Sequence, residues 1–209
     1  MKLFSIDNPF MVGLRKLTDH MFLGLLWVLV SLPVITFGAA TAAMFYTAEK
    51  AIAKDEGRIL HTFWKVFRKD FRQATVLWLL EILILAVVLL DIRLLLAVEL
   101  PGYLRVLLII AVIFVLSWLQ LWFGYLSKFE DNSKVLLSNT LRMTVGNFLK
   151  VFLLSALAVA ALAGAYILIL MPPLLVLIPG TYQILARKLF RSVFSRYITG
   201  DENDLIPDE

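Results

Sequence analysis

Long apolar runs constrain this chain more than any other feature of its sequence. Residues 21–46, 74–90, 106–126 and 149–170 carry very few charges, and a shorter apolar run begins at residue 173 and extends to about 190. A helix needs about 20 mostly apolar residues to cross a bilayer. With 61% hydrophobic and only 17% charged residues, a chain of 209 residues has too much apolar surface for one soluble core. We therefore predict an all-α, polytopic transmembrane bundle with about five spans.

The first run is ambiguous. Continuous helix from Leu17 to Lys54 would be longer than a bilayer is thick, and Pro33 and Gly38 lie in its middle, where a helix kinks. The run is either one kinked helix that extends into the cytoplasm or a re-entrant hairpin, which lipid tolerates only where protein shields its backbone. We favour the single crossing. We expect residues 1–199 to form a single transmembrane domain and the acidic residues 200–209 to be a disordered tail.

The distribution of lysine and arginine predicts the orientation. The loops at 47–73 and 127–150 and the segment after residue 186 hold fifteen of these cations, and the two other loops hold two. Cytoplasmic loops are enriched in Lys and Arg, so we place the long loops and the C-terminus in the cytoplasm, at a bacterial plasma membrane. Five spans would then leave Lys2, Arg15 and Lys16 outside. This exception is the best argument for the hairpin.

Three cytoplasmic segments follow the helical period and are expected to be amphipathic helices, at 58–72, 132–148 and 187–197. In the first, basic residues lie opposite a face that holds Phe63, Trp64, Phe67 and Phe71. Such a face lies on the anionic inner leaflet, or it docks a partner protein. The two interpretations are compatible, and both stay open.

Glu81 is the candidate for an intramembrane polar site, because it lies near the middle of the second run. An ionisable group at that depth costs about 2.5 kcal/mol or more to insert, so it is a functional candidate. It could form a proton or substrate site with Ser117 or Gln120 of the third run. It could instead be a protonated glutamate that hydrogen-bonds another helix as part of the packing.

Small residues at intervals of four allow two helices to approach closely. Ala156, Ala160 and Gly164 form such a row in the fourth run, and Gly38 and Ala42 repeat the spacing in the first. These rows predict close packing either inside the bundle or against another protein, and we favour the bundle interior.

Several functional classes find no support in the sequence. The chain has no cysteine and only two histidines, which no HExxH pattern brings together, and it contains no phosphate-binding glycine loop and no GxSxG elbow. We therefore expect a non-enzymatic protein without cofactor or metal. The net charge of +4 reflects the cytoplasmic bias rather than nucleic-acid binding.

The stretch SLPVITFGAATAA at residues 31–43, followed by Phe71, Gln73, Ala74 and Thr75, resembles the YesL-like family of bacterial membrane proteins. The similarity extends from about Phe10 to Leu90. Members of that family have no established molecular role and are often encoded beside carbohydrate ABC importers. The resemblance thus implies a context, sugar acquisition, rather than a mechanism. Together with the amphipathic helices and the rows of small residues, that context favours an accessory subunit that binds importer permease subunits, for a sugar that the sequence does not identify. A small-molecule transporter or channel with Glu81 on its pathway, and a membrane scaffold or sensor, are the alternatives.

Overall fold

The computed structural model describes residues 9–55, 58–97, 101–168, 177–195 and 197. These residues form helices joined by short turns, with no strand in the described ranges, which confirms the all-α prediction. The elements are α1 (Pro9–Ser31), a 3-10 turn (Val34–Thr36), α2 (Phe37–Thr47) with a π turn (Ala48–Ala53), α3 (Ile59–Ala97), α4 (Gly102–Leu119), α5 (Leu121–Leu126), α6 (Ser133–Gly146), α7 (Phe148–Leu168) and α8 (Leu177–Phe194). The acidic segment 200–209 lies outside the described residues.

Helices α1 and α2 form an antiparallel hairpin. Helix α1 ends at Ser31, since Pro33 has no N–H to donate and adopts an extended conformation with φ −72° and ψ 112°. The 3-10 turn then reverses the chain. As a result, the Trp27 indole on α1 donates to Thr41 Oγ1 on α2 at 3.1 Å, and Leu23 shares a buried cluster with Met44.

The two ends of the hairpin also meet. The Arg15 guanidinium contacts the Asp55 carboxylate at 2.5 Å, and Lys16 Nζ donates to Ala53 O at 3.3 Å. The first run therefore forms the hairpin rather than the continuous kinked helix that we favoured, and its place in the membrane stays a prediction. Pro33 and Gly38 do interrupt the helix as predicted, but the chain turns back instead of continuing.

Helix α2 packs closely along the first half of α3. A Cβ on Gly38 would lie 2.7 Å from Ala74 O and 2.8 Å from Trp78 Cβ, so only glycine permits this approach. Ala42 is fully buried in the same core as Ala74. Helix α3 is one helix of 39 residues, about 58 Å long. The amphipathic segment at 58–72 and the predicted span at 74–90 are thus one continuous element.

The remaining helices pack around α5. Trp122 on α5 is completely buried, together with Val151 of α7 and Phe194 of α8. Asn132 caps the start of helix α6, because its Oδ1 accepts a hydrogen bond from Lys134 N at 2.8 Å. Beyond α6 the chain bends by 103° into α7.

Two helical stretches of the described chain are long and apolar enough to cross a membrane, Ile59–Arg93 and Gly102–Leu126. They contain the predicted spans 74–90 and 106–126. The bent pair α6–α7 is a third candidate, and α7 holds most of the predicted span 149–170. These apolar helices are those of a helical membrane protein.

Helix α8 combines the predicted span 173–190 with the third amphipathic segment, and residues 169–176 lie outside the described ranges. We expected the apolar side of that segment to lie on the inner leaflet or to dock a partner protein. Instead Phe190, Val193 and Phe194 are buried in the core, because α8 packs between α1 and α7.

Candidate functional site

Polar side chains from three helices meet inside the bundle. Glu81 on α3 is 9% exposed and lies in the neighbourhood of the Tyr182 hydroxyl of α8. That hydroxyl donates to Gln120 Oε1, at the break between α4 and α5, over 3.2 Å. The structure therefore joins Gln120 to Tyr182 by a hydrogen bond and places Glu81 near the same tyrosine.

Two atoms of this group have no hydrogen-bond partner among the described residues. Glu81 Oε2 is buried and unpaired, and so is Ser117 Oγ, which lies one helical turn before Gln120 on α4. Burying a polar atom without a partner is costly. A proton, a water molecule or a polar ligand at Glu81 would supply the missing interaction. The site is therefore chemically able to bind one of these at Glu81.

A second buried polar contact lies between α1 and α8. His20 Nδ1 is 3.3 Å from Gln183 Oε1, and both residues are buried. Burial lowers the pKa of His20, despite the Gln183 hydrogen bond that raises it. Gly180 allows this approach, because a Cβ there would lie only 3.2 Å from His20 O.

Sequence reasoning missed Tyr182 and Gln183. They lie next to each other in the shortest apolar run, where we counted only the apolar residues needed for a span. Two adjacent polar side chains in such a run were the available signal, because polar groups inside a membrane bundle face other helices.

The first half of α3 carries an exposed surface that we call the basic aromatic face. It consists of the apolar residues Leu60, Trp64 and Phe71, which are 36–49% exposed, and of cationic neighbours. The cationic neighbours Arg58, Lys65 and Arg68 line an open groove together with Leu60, His61 and Trp64. Of the four aromatic residues predicted to dock a partner, Trp64 and Phe71 are exposed as expected.

The other two predicted docking residues, Phe63 and Phe67, face the hairpin instead of the exposed side of α3. Phe63 is completely buried against α2 and Phe67 is half-buried, since the apolar side of this amphipathic helix packs against the hairpin. Their rings stack at 6.1 Å, and Phe67 contacts Phe71 at 5.4 Å. The buried pair thus holds the exposed aromatic residues in position.

The small-residue row on α7 does not pack inside the described bundle. Ala156 and Ala160 are exposed, and Gly164 is half-buried. A Cβ on Gly164 would have Ile178 Cδ1 as its nearest neighbour, at 3.9 Å. Among the described residues this row therefore gives no support to our preference for interior packing, which stays a prediction. In contrast, Gly38 and Ala42 pack internally as that spacing predicts.

Comparison with known proteins gives one match. Residues 21–92 match a family described as "Protein of unknown function, DUF624". No curated protein and no solved structure matches the chain. The matched stretch is about a third of the sequence and comprises the second half of α1, the turn at Pro33, α2 and α3 as far as residue 92. The matched region therefore contains the tip of the hairpin, the contact of α2 with α3 and the basic aromatic face, but not the first half of α1.

Proposed function

We propose that this chain is a non-enzymatic accessory subunit that binds the membrane subunits of a carbohydrate ABC importer through the basic aromatic face. The observation that carries the proposal is the exposure of Leu60, Trp64 and Phe71 beside Arg58, Lys65 and Arg68 on one helix. This half of α3 precedes its most apolar part, so a partner would bind at the cytoplasmic end of the membrane domain.

Physical features of the face suit protein docking. Tryptophan and arginine are enriched among residues that dominate binding energy, and both occur here in one groove. The stacked rings of Phe63 and Phe67 limit the freedom of the neighbouring aromatic residues, so less entropy is lost on binding. The cations favour an acidic partner surface.

The class of partner comes from the resemblance to the YesL-like family, whose members are often encoded beside carbohydrate importers. The plasma membrane and a cytoplasmic C-terminus belong to the same proposal, supported by the lysine and arginine counts. A partner on the cytoplasmic side would have to bind where these cations accumulate, and the basic aromatic face lies in the loop segment with the most of them.

Replacing Trp64 and Phe71 together by alanine is expected to remove the importer permease subunits from the purified complex. The tagged chain would be extracted from its native host in mild detergent, and stoichiometric partners would be identified by mass spectrometry. The wild-type chain should retain the permeases, and the double variant should lose at least nine-tenths of them at unchanged expression.

Leu90→Ala is the matched control, because Leu90 is an exposed apolar residue at the other end of α3. It should retain the permeases. Absence of permeases from the wild-type preparation would contradict the proposal. A cytoplasmic partner that binds only when sugar is supplied would instead favour a scaffold or sensor.

A second candidate function, transport, is favoured by the buried and unpaired Glu81 Oε2. Bundle-interior carboxyl groups often serve proton or substrate pathways. On this hypothesis Glu81 exchanges a proton or binds a polar solute beside Tyr182 and Gln120. A transport pathway through a single chain would have only this one carboxyl group to exchange protons or bind a solute. For that reason the docking function is preferred.

Glu81→Gln is expected to abolish flux if the chain transports. Purified protein in proteoliposomes would be assayed for proton uptake with a pH-sensitive dye and for uptake of labelled glucose. Asp91→Asn is the matched control, since Asp91 is an exposed carboxylate on the same helix, and it should leave flux unchanged. Equal flux through wild type and Glu81→Gln would remove Glu81 from any pathway. No flux of protons or glucose in any sample would contradict transport of either.

A further inference from the structure

We infer that the tip of the α1–α2 hairpin, residues 31–36, is a re-entrant element immersed in lipid hydrocarbon. It follows that the start of α1 lies on the same side of the membrane as the basic loop before α3. The inference rests on the hairpin geometry and is independent of the proposed docking function.

The tip is both apolar and exposed. Leu32, Val34 and Ile35 are 71%, 67% and 54% exposed. No Asp, Glu, Lys or Arg lies between Asp19 and Glu49. A turn that faced water would be expected to carry polar residues, and exposed apolar residues in a contiguous set mark a binding or membrane surface.

Three backbone carbonyls at or beside the tip are satisfied by side chains of the protein, whereas the Ser31 hydroxyl has no partner among the described residues. The Trp78 indole donates to Val34 O at 2.7 Å. The Thr36 hydroxyl lies 2.5 Å from Val30 O and 2.6 Å from Pro33 O, so its proton serves these helix-end carbonyls. Water would satisfy such groups without help, whereas hydrocarbon offers no donor. The side-chain donors at the turn therefore fit a lipid environment.

The surface of the tip is continuous with that of a candidate membrane span. Trp78 belongs to α3, and the exposed residues next to it and one turn further on are Leu79, Ile82 and Leu83. These belong to the stretch Ile59–Arg93, which is long and apolar enough to cross a membrane. Lipid that surrounds this part of α3 would also contact the tip.

The hairpin reaches only part of the way along α3. Beyond Trp78 the helix continues to Ala97, a further distance of about 28 Å. The other end of the hairpin is closed by the Arg15–Asp55 ion pair, immediately before α3. An element that enters and leaves on one side, and ends well short of the far end of its neighbour, is re-entrant.

This arrangement removes the exception to the positive-inside rule. With a single crossing, Arg15 and Lys16 would lie on the side opposite to the basic loop. With a re-entrant hairpin, both lie on the same side as the seven cations at 47–73. The charge distribution thus agrees with the geometry.

Cysteine labelling tests the inference, and the chain contributes no cysteine background. Gly13→Cys and Gly102→Cys add side chains where a Cβ meets no atom within 4 Å, and Val34→Cys alters the exposed tip. A membrane-impermeant maleimide would be applied to cells before and after permeabilisation. We expect Gly102→Cys to be labelled in intact cells, Gly13→Cys only after permeabilisation, and Val34→Cys under neither condition. Size-exclusion profiles would verify that each variant is folded.

A second measurement locates the tip directly. A small fluorophore attached to Val34→Cys in detergent, followed by reconstitution, should be quenched by nitroxides on lipid acyl chains and hardly by aqueous iodide, with Gly13→Cys showing the reverse. Labelling of residues 13 and 102 from the same side would overturn the inference about α1. Labelling of residue 34 by the impermeant reagent, or its quenching mainly by iodide, would overturn the lipid-immersed tip.

Discussion

Gly38→Leu is expected to abolish the folded protein, and Gly38→Ala to destabilise it clearly. Even the alanine Cβ would lie 2.7 Å from Ala74 O, 2.8 Å from Trp78 Cβ and 2.9 Å from the Phe123 ring. The first two atoms belong to the backbone or to the base of a side chain, so they cannot rotate away. Overpacking costs about 1–3 kcal/mol, partly offset by about 1 kcal/mol of helix propensity for alanine.

The contact at Gly38 joins three elements, which explains the size of the expected effect. It sets the distance of α2 from α3 and places α5 against both. A leucine there would force the hairpin away from α3, and the buried face of α3 that includes Phe63 and Ala74 would be exposed. Loss of that packing affects the whole described bundle rather than one helix.

Fluorescence-detected size-exclusion chromatography of heated samples measures the result. Gly38→Ala should lower Tm by on the order of 5 °C, and Gly38→Leu should give no monodisperse peak. Gly13→Ala and Gly13→Leu are the matched controls on α1, where a Cβ meets open space. A Gly38→Leu protein as stable as Gly13→Leu would show that α2 does not pack on α3 in this way.

The class of fold could be predicted from the sequence, but the path of the first run could not. An uncharged run with Pro33 and Gly38 inside it indicates an interrupted helix, and that interruption is present. Whether the chain continues or reverses after this interruption depends on which other helices the two flanking helical segments pack against. The available signal in the sequence was the row of small residues Gly38, Ala39 and Ala42, because small residues favour a close helix neighbour. In the structure these three residues are buried.

The candidate polar site was predictable in part. The depth of Glu81 in an apolar run identified it, and the same reasoning selected Gln120. Tyr182 was missed because counting apolar residues treats residues 173–190 as a span and gives no reason to examine its polar members. Contact between α3, α4 and α8 is a long-range property of packing, and no local pattern specifies it.

The amphipathic segments illustrate a further limit. Hydrophobic periodicity shows that a helix has an apolar side and does not say what that side meets. On α3 it meets α2, so Phe63 is buried while Trp64 is left on the exposed side. On α8 it meets the core, where Phe194 is completely buried. On α6 the stripe that includes Leu141 and Val145 is exposed, as a membrane-facing helix requires.

Crosslinking of the two ends of the hairpin is the second large effect we expect. In the double variant Arg15→Cys, Asp55→Cys, the two thiols replace side chains that form an ion pair at 2.5 Å, and a short bismaleimide can bridge them. In one continuous helix the same residues would be about 60 Å apart, far beyond the reagent. The predicted difference is therefore between nearly complete intramolecular crosslinking and none.

This crosslink tests the hairpin most directly. The reagent would be added to native membranes, and the peptide pair joining residues 15 and 55 would be quantified by mass spectrometry. The pair Arg15→Cys, Gly102→Cys is the control, since α3 separates those positions. We predict rapid crosslinking between residues 15 and 55 and none between 15 and 102. No crosslink between residues 15 and 55, in a protein whose two thiols each react with a monofunctional maleimide, would contradict the hairpin.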